Sequence, residues 1–315
     1  MMATLDDFQS ADPPMQKCLN LARLAAKTDL PILIVGESGT GKTLLARAIH
    51  DSSRRAKNPF VAFNAAALSD TLLDSQLFGH EKGAFTGAEK TVRGKFELAH
   101  TGTLFIDEIA DMSSTAQAKI LRAVEYGEFE KLGSEALQRA DVRVISATHW
   151  PLGSFVSTDR FRHDLFYRIS GIVVALPALR ARPNDLRSLI ASEIRLASRT
   201  EGKTIAGLAK DAADRLLAYT WPGNLRQLKT VIQTAVALTP AEVIPAEAIL
   251  LNEVGDGPPA STLDAAEQRH IHDVLVRVGG NKRRAARVLG VSRSTLDRKL
   301  AVAPDAWPRN ETMAP

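Results

Sequence analysis

Cysteine is almost absent from this chain. Cys18 is the single one among 315 residues, so no intrachain disulfide can form and no cysteine-based zinc site can be assembled. Long apolar runs are missing too: none approaches the roughly 18 to 20 residues needed to span a bilayer. Residues 1–12 are acidic and lack the apolar segment of a secretory leader. The seven histidines are scattered; His270 and His272, two apart, fall on different sides of a helix and make a poor metal site. There is no internal repeat and no low-complexity tract. The expectation is a soluble cytoplasmic protein with no membrane partner.

A strong overall charge is lacking as well. The formal net charge is only +4, but its distribution is uneven. Residues 277–299 hold eight Lys or Arg against one acid, Asp297. That local excess is larger than the net charge of the chain, so the basic character sits near the C-terminal end.

What is present is an alternation of short apolar runs and helical patterns. The length suits roughly two or three compact units. Residues 30–35, 60–64, 103–106, 142–147 and 172–176 are apolar and of strand length. Helical spacing appears at 15–28, 43–52 and 114–126. Strands that alternate with helices imply a parallel sheet covered on both faces. After Pro177 the pattern becomes helical at 184–198, 209–219 and 225–238, with no strand between. Residues 252–262, with Gly255, Gly257, Pro258 and Pro259, read as a linker.

Two motifs carry chemistry. Gly36-Glu37-Ser38-Gly39-Thr40-Gly41-Lys42-Thr43 matches the phosphate-loop pattern, with a strand before it and a helix after. Its glycines let backbone N–H groups face an anion, and the helix adds the positive end of its dipole. Lys42 supplies charge to the β- and γ-phosphates, and Thr43 a hydroxyl for Mg²⁺. Asp107 and Glu108 end an apolar strand, where Asp107 is placed to hold hydrated Mg²⁺ and Glu108 to polarise the attacking water. These residues point to binding and hydrolysis of a nucleoside triphosphate. Between the two lies Gly83-Ala84-Phe85-Thr86-Gly87-Ala88. An apolar, glycine-hinged segment with an exposed Phe suggests a surface that moves and touches a partner.

That segment, with Leu77-Phe78-Gly79-His80-Glu81-Lys82, Phe161-Arg162-His163-Asp164-Leu165-Phe166-Tyr167-Arg168 and Trp221-Pro222-Gly223-Asn224-Leu225-Arg226, resembles the AAA+ bacterial enhancer-binding proteins. These activate transcription by sigma-54 RNA polymerase. The resemblance spans nearly all of 19–300. It implies ATP as substrate with Mg²⁺, and a ring, usually a hexamer. Arg162 and Arg168 look like arginine fingers that reach a neighbouring subunit's site. Arg226 resembles the lid arginine that reads the γ-phosphate, and His149 stands at the nucleotide-sensing position. Asn64 resembles the residue that pairs with the catalytic glutamate and switches it. Gly83, Ala84, Phe85, Thr86, Gly87 and Ala88 resemble the sigma-54 contact, centred on Phe85 and Thr86.

Near the C-terminus, residues 263–278 read as an amphipathic helix and 281–290 as a second, ending at glycine. Ser292 then caps a third that runs to Leu300. Ala285, Ala286, Leu289, Val291 and Leu296 can pack a helix-turn-helix, leaving Arg293, Ser294, Thr295, Arg298 and Lys299 for enhancer DNA. The pattern resembles the dimeric Fis-type module of the same family.

The fold expected is therefore α/β: an AAA+ parallel-sheet P-loop domain with a helical lid, followed by an all-α helix-turn-helix domain. The divisions are 1–178 for the α/β ATPase subdomain, 179–250 for the lid, 251–262 for the linker and 263–315 for the DNA-binding domain. Three positions depart from the family's pattern: His149 stands where Asn is usual, and His163 and Ala181 each stand where Glu is usual. Few residues precede the first helix. The chain is either of the naturally short, phage-shock activator type, which implies a separate negative regulator in trans, or a form from which an N-terminal domain was removed. The alternative function is a DNA-binding repressor or antagonist that keeps the fold without remodelling polymerase.

Overall fold

A computed structural model of the chain describes residues 4–66, 69–150, 152, 156 and 160–251, and beyond them 267, 270, 271, 274, 282–293, 295, 296 and 299. Contacts divide the chain into two compact units, Met1–Leu251 and Asn252–Pro315.

The apolar runs of the first unit form one parallel sheet. Its strands are β1 (Ile32–Val35), β2 (Phe60–Asn64), β3 (Thr103–Asp107), β4 (Arg143–Thr148) and β5 (Ile172–Ala175). They lie in the order β2-β3-β4-β1-β5. Side chains alternate between faces with period two. Leu33, Leu104 and Ile106 pack on one side with α3 (Asp70–Phe78), α4 (Ser114–Tyr126) and α5 (His163–Ile169). Ile32, Ile34, Phe105 and Ile145 pack on the other with α1 (Pro13–Ala26) and α2 (Lys42–Asp51). Two covered faces explain why the inner strands β1, β3 and β4 read as continuous apolar runs rather than alternating ones. The register aligns Asn64 with Asp107 and Val35 with Thr148, so the C-terminal ends of β1 to β4 converge at one edge. Ligands of open parallel sheets sit in the crevice outside these ends.

The lid is helical: α6 (Pro183–Glu201), α7 (Lys210–Ala218) and α8 (Asn224–Leu238). Trp221 fills its core, fully buried, and donates its indole N–H to Leu216 O at 3.0 Å. A strand-free lid is not what forms: Gly207–Leu208 and Val243–Ile244 make a two-residue parallel ladder. Two residues are too few to leave a periodic signal. The N-terminal segment is clasped to the lid. Asp185 accepts from Ser10 Oγ and the Ala11 N–H, while Asp12 accepts from the N–H groups of Asn184 and Asp185. Against burial, which pushes it up, the Ser10, Ala11 and Arg182 hydrogen bonds hold the Asp185 carboxyl below its ordinary range.

In the second unit, α9 (Lys282–Val288) ends near Gly290, whose φ is +67°. The Thr295 N–H donates to Ser292 Oγ at 3.1 Å, an N-cap contact. Ala285, Ala286 and Leu296 are buried with Ile271 and Val274, and Leu289 packs against them. Val291 does not join this core; it is exposed. The linker and most of 263–278 lie outside the described residues. Among the described residues no helix is long and apolar enough to cross a membrane.

Candidate functional site

Strand β1 delivers the 36–43 loop to the sheet edge. The Gly36 N–H donates to Thr148 O at 3.2 Å, and the Gly36 carbonyl accepts from Lys42 Nζ at 2.9 Å. Gly39 has φ +79°, and a Cβ there would lie 2.3 Å from Gly223 O of the lid, so the position requires glycine. Lys42 opens α2 and is 6% exposed. Thr43 Oγ1 lies 3.5 Å from Asp107 Oδ2. Burial, followed by the neighbouring Glu108 charge, pushes the Asp107 carboxyl above its ordinary range, against the pull of Lys42. Glu108 is left-handed, at φ 54° and ψ 47°. Its Oε1 is 3.5 Å from Lys42 Nζ.

The lid closes over this loop. Arg180 forms a double hydrogen bond with the Glu37 carboxylate, which holds that group below its ordinary value. Asn224 Nδ2 donates to Glu37 Oε2 at 3.1 Å and to Ser38 O at 3.0 Å, while its Oδ1 accepts from the Leu179 N–H. Arg226 Nη1 donates to Ser38 Oγ at 3.2 Å. The result is a cleft of 670 Å³, within the range of small-molecule sites. Ser38 to Thr43, Asp107, Glu108 and Arg226 line it at one end, and Phe8, Gln9, Met15, Leu189 and Leu196 are also on its walls. Sequence reasoning missed Asn224, Arg180 and the N-terminal wall. Only Asn224 left a local trace, following Pro222-Gly223 with φ 51°.

Other expected residues fall elsewhere. Asn64 makes no hydrogen bond to Glu108; its Oδ1 takes the Ala66 N–H at 2.8 Å, because the chain turns directly after β2. His149 is not on the cleft wall. Its Nδ1 lies 2.7 Å from Glu108 Oε2, since β4 ends beside the turn after β3. Arg162 and Arg168 are both exposed and line none of the cleft; Arg162 pairs with Asp164 at 2.7 Å, and Arg168 donates to Glu125 O at 3.0 Å.

The 83–88 loop closes a small hairpin based on Gly79–His80 and Val92–Arg93. Phe85 is not exposed as expected. It is half-buried, its ring edge-on to His80 at 4.9 Å, and His80 is held by Ser75 at 2.8 Å. Ala84 packs against Gly133, while Thr86 is exposed and Ala88 buried. In the second unit Arg293 is exposed, Thr295 half-buried, and Lys299 pairs with Glu267 at 2.6 Å. Ser294 and Arg298 lie outside the described residues.

Comparison with known proteins agrees with this architecture. A family described as the sigma-54 interaction domain matches residues 8–175, more than half of the chain. An AAA+ ATPase lid domain matches 180–262, and the Fis family of bacterial regulatory proteins matches 262–301. The chain thus belongs to the sigma-54-dependent transcriptional activators, built from an AAA+ P-loop core, a helical lid and a helix-turn-helix. It is 43% identical over 297 residues to the transcriptional regulatory protein ZraR of Klebsiella oxytoca, covering 92% of this chain and 67% of that one. It is 42% identical over 304 residues to the hydrogenase transcriptional regulatory protein HoxA of Cupriavidus necator, covering 91% and 63%. The structure of NtrX from Brucella abortus in complex with ATP superimposes with a TM-score of 0.71 at 34% identity, covering 94% and 69%.

Proposed function

We propose that this chain hydrolyses ATP in the cleft described and uses the energy to remodel sigma-54 RNA polymerase, bound to enhancer DNA through its Fis-type domain. The observation that carries the reading is the gathering of Lys42, Thr43, Asp107, Glu108 and Arg226 in one cleft. That set can cradle phosphates, neutralise charge and polarise water together. NtrX, similar in sequence and fold, was crystallised with ATP and with ADP. Thr43 Oγ1 and Asp107 Oδ2 face each other as hard oxygen donors. One carboxylate and one hydroxyl suit Mg²⁺, which keeps most of its ligands as water and substrate phosphate. When bound, the ion would neutralise charge on the β- and γ-phosphate oxygens.

In this reading Arg226 and Lys42 bind the γ-phosphate, Glu108 orients the water, and Asn64 and His149 act on Glu108. Arg162 and Arg168, off their own cleft, serve a neighbouring subunit's site, so the working form is a ring assembled from dimers to a hexamer. Thr86 and Phe85 form the contact with sigma-54, Phe85 leaving His80 when the loop rises. Arg293, Ser294, Thr295, Arg298 and Lys299 contact the enhancer in the same reading. Residues 1–178, 179–250, 251–262 and 263–315 would be the ATPase, lid, linker and DNA-binding segments. The test is open-complex formation by sigma-54 polymerase with purified protein, with and without ATP. Open complexes that need ATP and enhancer are expected. Enhancer binding without open complexes would favour the repressor or antagonist reading.

A further inference from the structure

The turn after β3 and the two residues after β4 are joined through Glu108 of the acidic motif and three side chains outside both nucleotide motifs, Asp111, His149 and Trp150. Glu108 Oε2 receives the His149 backbone N–H at 3.2 Å and sits 2.7 Å from His149 Nδ1. Glu108 Oε1 faces Lys42 at 3.5 Å. The His149 ring rests on Trp150, with centroids 4.5 Å apart, and the Trp150 indole N–H donates to Asp111 Oδ1 at 3.1 Å. Consecutive residues therefore grip both ends of the 108–111 turn. Asn64, at the end of the neighbouring strand, is committed to the Ala66 N–H.

We propose that His149 is a positioning residue that latches Glu108 in a resting state, with Trp150 keeping the imidazole in place. The inference rests on the reading of Glu108 as the group that polarises water. With its proton on Nδ1, His149 donates to the carboxylate. A carboxylate that accepts two hydrogen bonds on one oxygen and faces an ammonium with the other has its acceptor sites taken up and is held away from an attacking water. A γ-phosphate in the cleft would draw Lys42 away and free one oxygen. Full release of Glu108 then depends on the His149 side chain turning aside. The latch thus makes turnover wait for a movement at the end of β4, beyond simple filling of the cleft.

The experiment is steady-state ATP hydrolysis by the full chain as wild type, His149→Ala, His149→Gln and Glu108→Gln, with binding of a fluorescent ATP analogue measured alongside. His149→Ala should raise kcat about three- to tenfold with KM unchanged, the factor that one net hydrogen bond supplies. It should also yield fewer open complexes per ATP hydrolysed. His149→Gln, whose side-chain N–H can still donate, should return kcat toward wild type. A fall in kcat, or no change, in His149→Ala that binds the analogue normally overturns the latch. If His149→Ala binds poorly, Trp150→Phe decides: it keeps the stacking, loses the Asp111 hydrogen bond, and should raise kcat by less, whereas unchanged turnover overturns the proposal. Normal turnover by Glu108→Gln would instead remove the hydrolytic reading on which the latch stands.

Discussion

Two glycine-rich segments of this chain, 36–43 and 83–88, differ in the physical reasons for their glycines. In the 36–43 loop the constraint is crowding. A Cβ at Gly39 would meet the Gly223 carbonyl at 2.3 Å, and one at Gly36 would meet Leu176 O at 2.8 Å. In the 83–88 loop the constraint is conformation alone. Gly83 and Gly87 have φ of +85° and +97°, yet an added Cβ at either meets nothing within 4 Å. The first loop is crowded by Leu176 at Gly36 and by the lid at Gly39, while Gly41 keeps room beside it and answers to its φ of +101°. The second has room around its hinges and is pinned chiefly by the Phe85–His80 contact and its own backbone bonds. Glycine count alone does not separate a crowded loop from one whose glycines answer only to backbone conformation; what surrounds the missing Cβ does.

Breaking the crowded side should have the largest effect. Gly39→Ala forces a side chain against the lid at a left-handed position, so nucleotide binding should be lost, with destabilisation on the order of 2–4 kcal/mol from strain and overpacking together. Calorimetric ATP titration and a denaturant midpoint check this; binding within about twofold of wild type, on the order of 0.4 kcal/mol, would mean the lid does not seat on the loop. Next comes the 83–88 loop, the proposed sigma-54 contact. Phe85→Ala or Thr86→Ala should abolish sigma-54 binding in the presence of a transition-state nucleotide analogue while the ATPase rate stays, since neither residue lines the cleft. Undiminished sigma-54 binding would move the contact elsewhere. A smaller effect is expected at the hinge: Gly87→Ala should cost about 1–2 kcal/mol, from the backbone alone. Chemical denaturation measures this, and a loss as large as that of Gly39→Ala would erase the contrast between the loops.

The smallest predicted effect is electrostatic and belongs to the gripped loop. The Arg180 hydrogen bond, and that of Asn224, hold the Glu37 carboxyl below its ordinary value of 4.5, with burial opposing them. A carboxyl lowered in the folded state adds stability that is fully present above the unfolded value and disappears as pH falls through the folded one. Acidification below about pH 4.5 should therefore loosen the lid on the loop, and Glu37→Gln should flatten that part of the pH profile of thermal stability. Parallel profiles for wild type and variant would show that the pair contributes nothing there.

Much of the sheet was legible from residues alone. The strand at 103–107 appears within a residue of its apolar run because burial on both faces leaves an uninterrupted hydrophobic signal, and the edge strand at 60–64 matches its run although only Phe63 in it is buried. The helix Ser114–Tyr126 matches its spacing, with Ser113 Oγ accepting from the Ala116 N–H as its cap. The phosphate loop was legible because its chemistry lies within eight consecutive residues. What was not legible are the side-chain partners, both in this site and in the 83–88 loop. Glu37 meets Asn224 and Arg180, Glu108 meets His149, and Phe85 meets a His80 that is itself held by Ser75. None of these pairings follows from a helical or strand period.

The sequence by itself determined the main-sheet strands and the long helices, their order, the glycine-rich phosphate-loop motif, the acidic strand end and the basic C-terminal block, because each depends on neighbours a few residues away; the two-residue ladders escaped it. The tertiary structure alone decided which side chain holds which. Strand register set β4 beside β3 and so brought His149 to Glu108 instead of the cleft wall. Lid docking put Asn224 and Arg226 on Ser38, and the return of the hairpin laid Phe85 on His80. Short-range preferences specify segments. Partners brought together over a separation of 41 or 187 residues are chosen by packing of the whole sheet and lid, which no local pattern records.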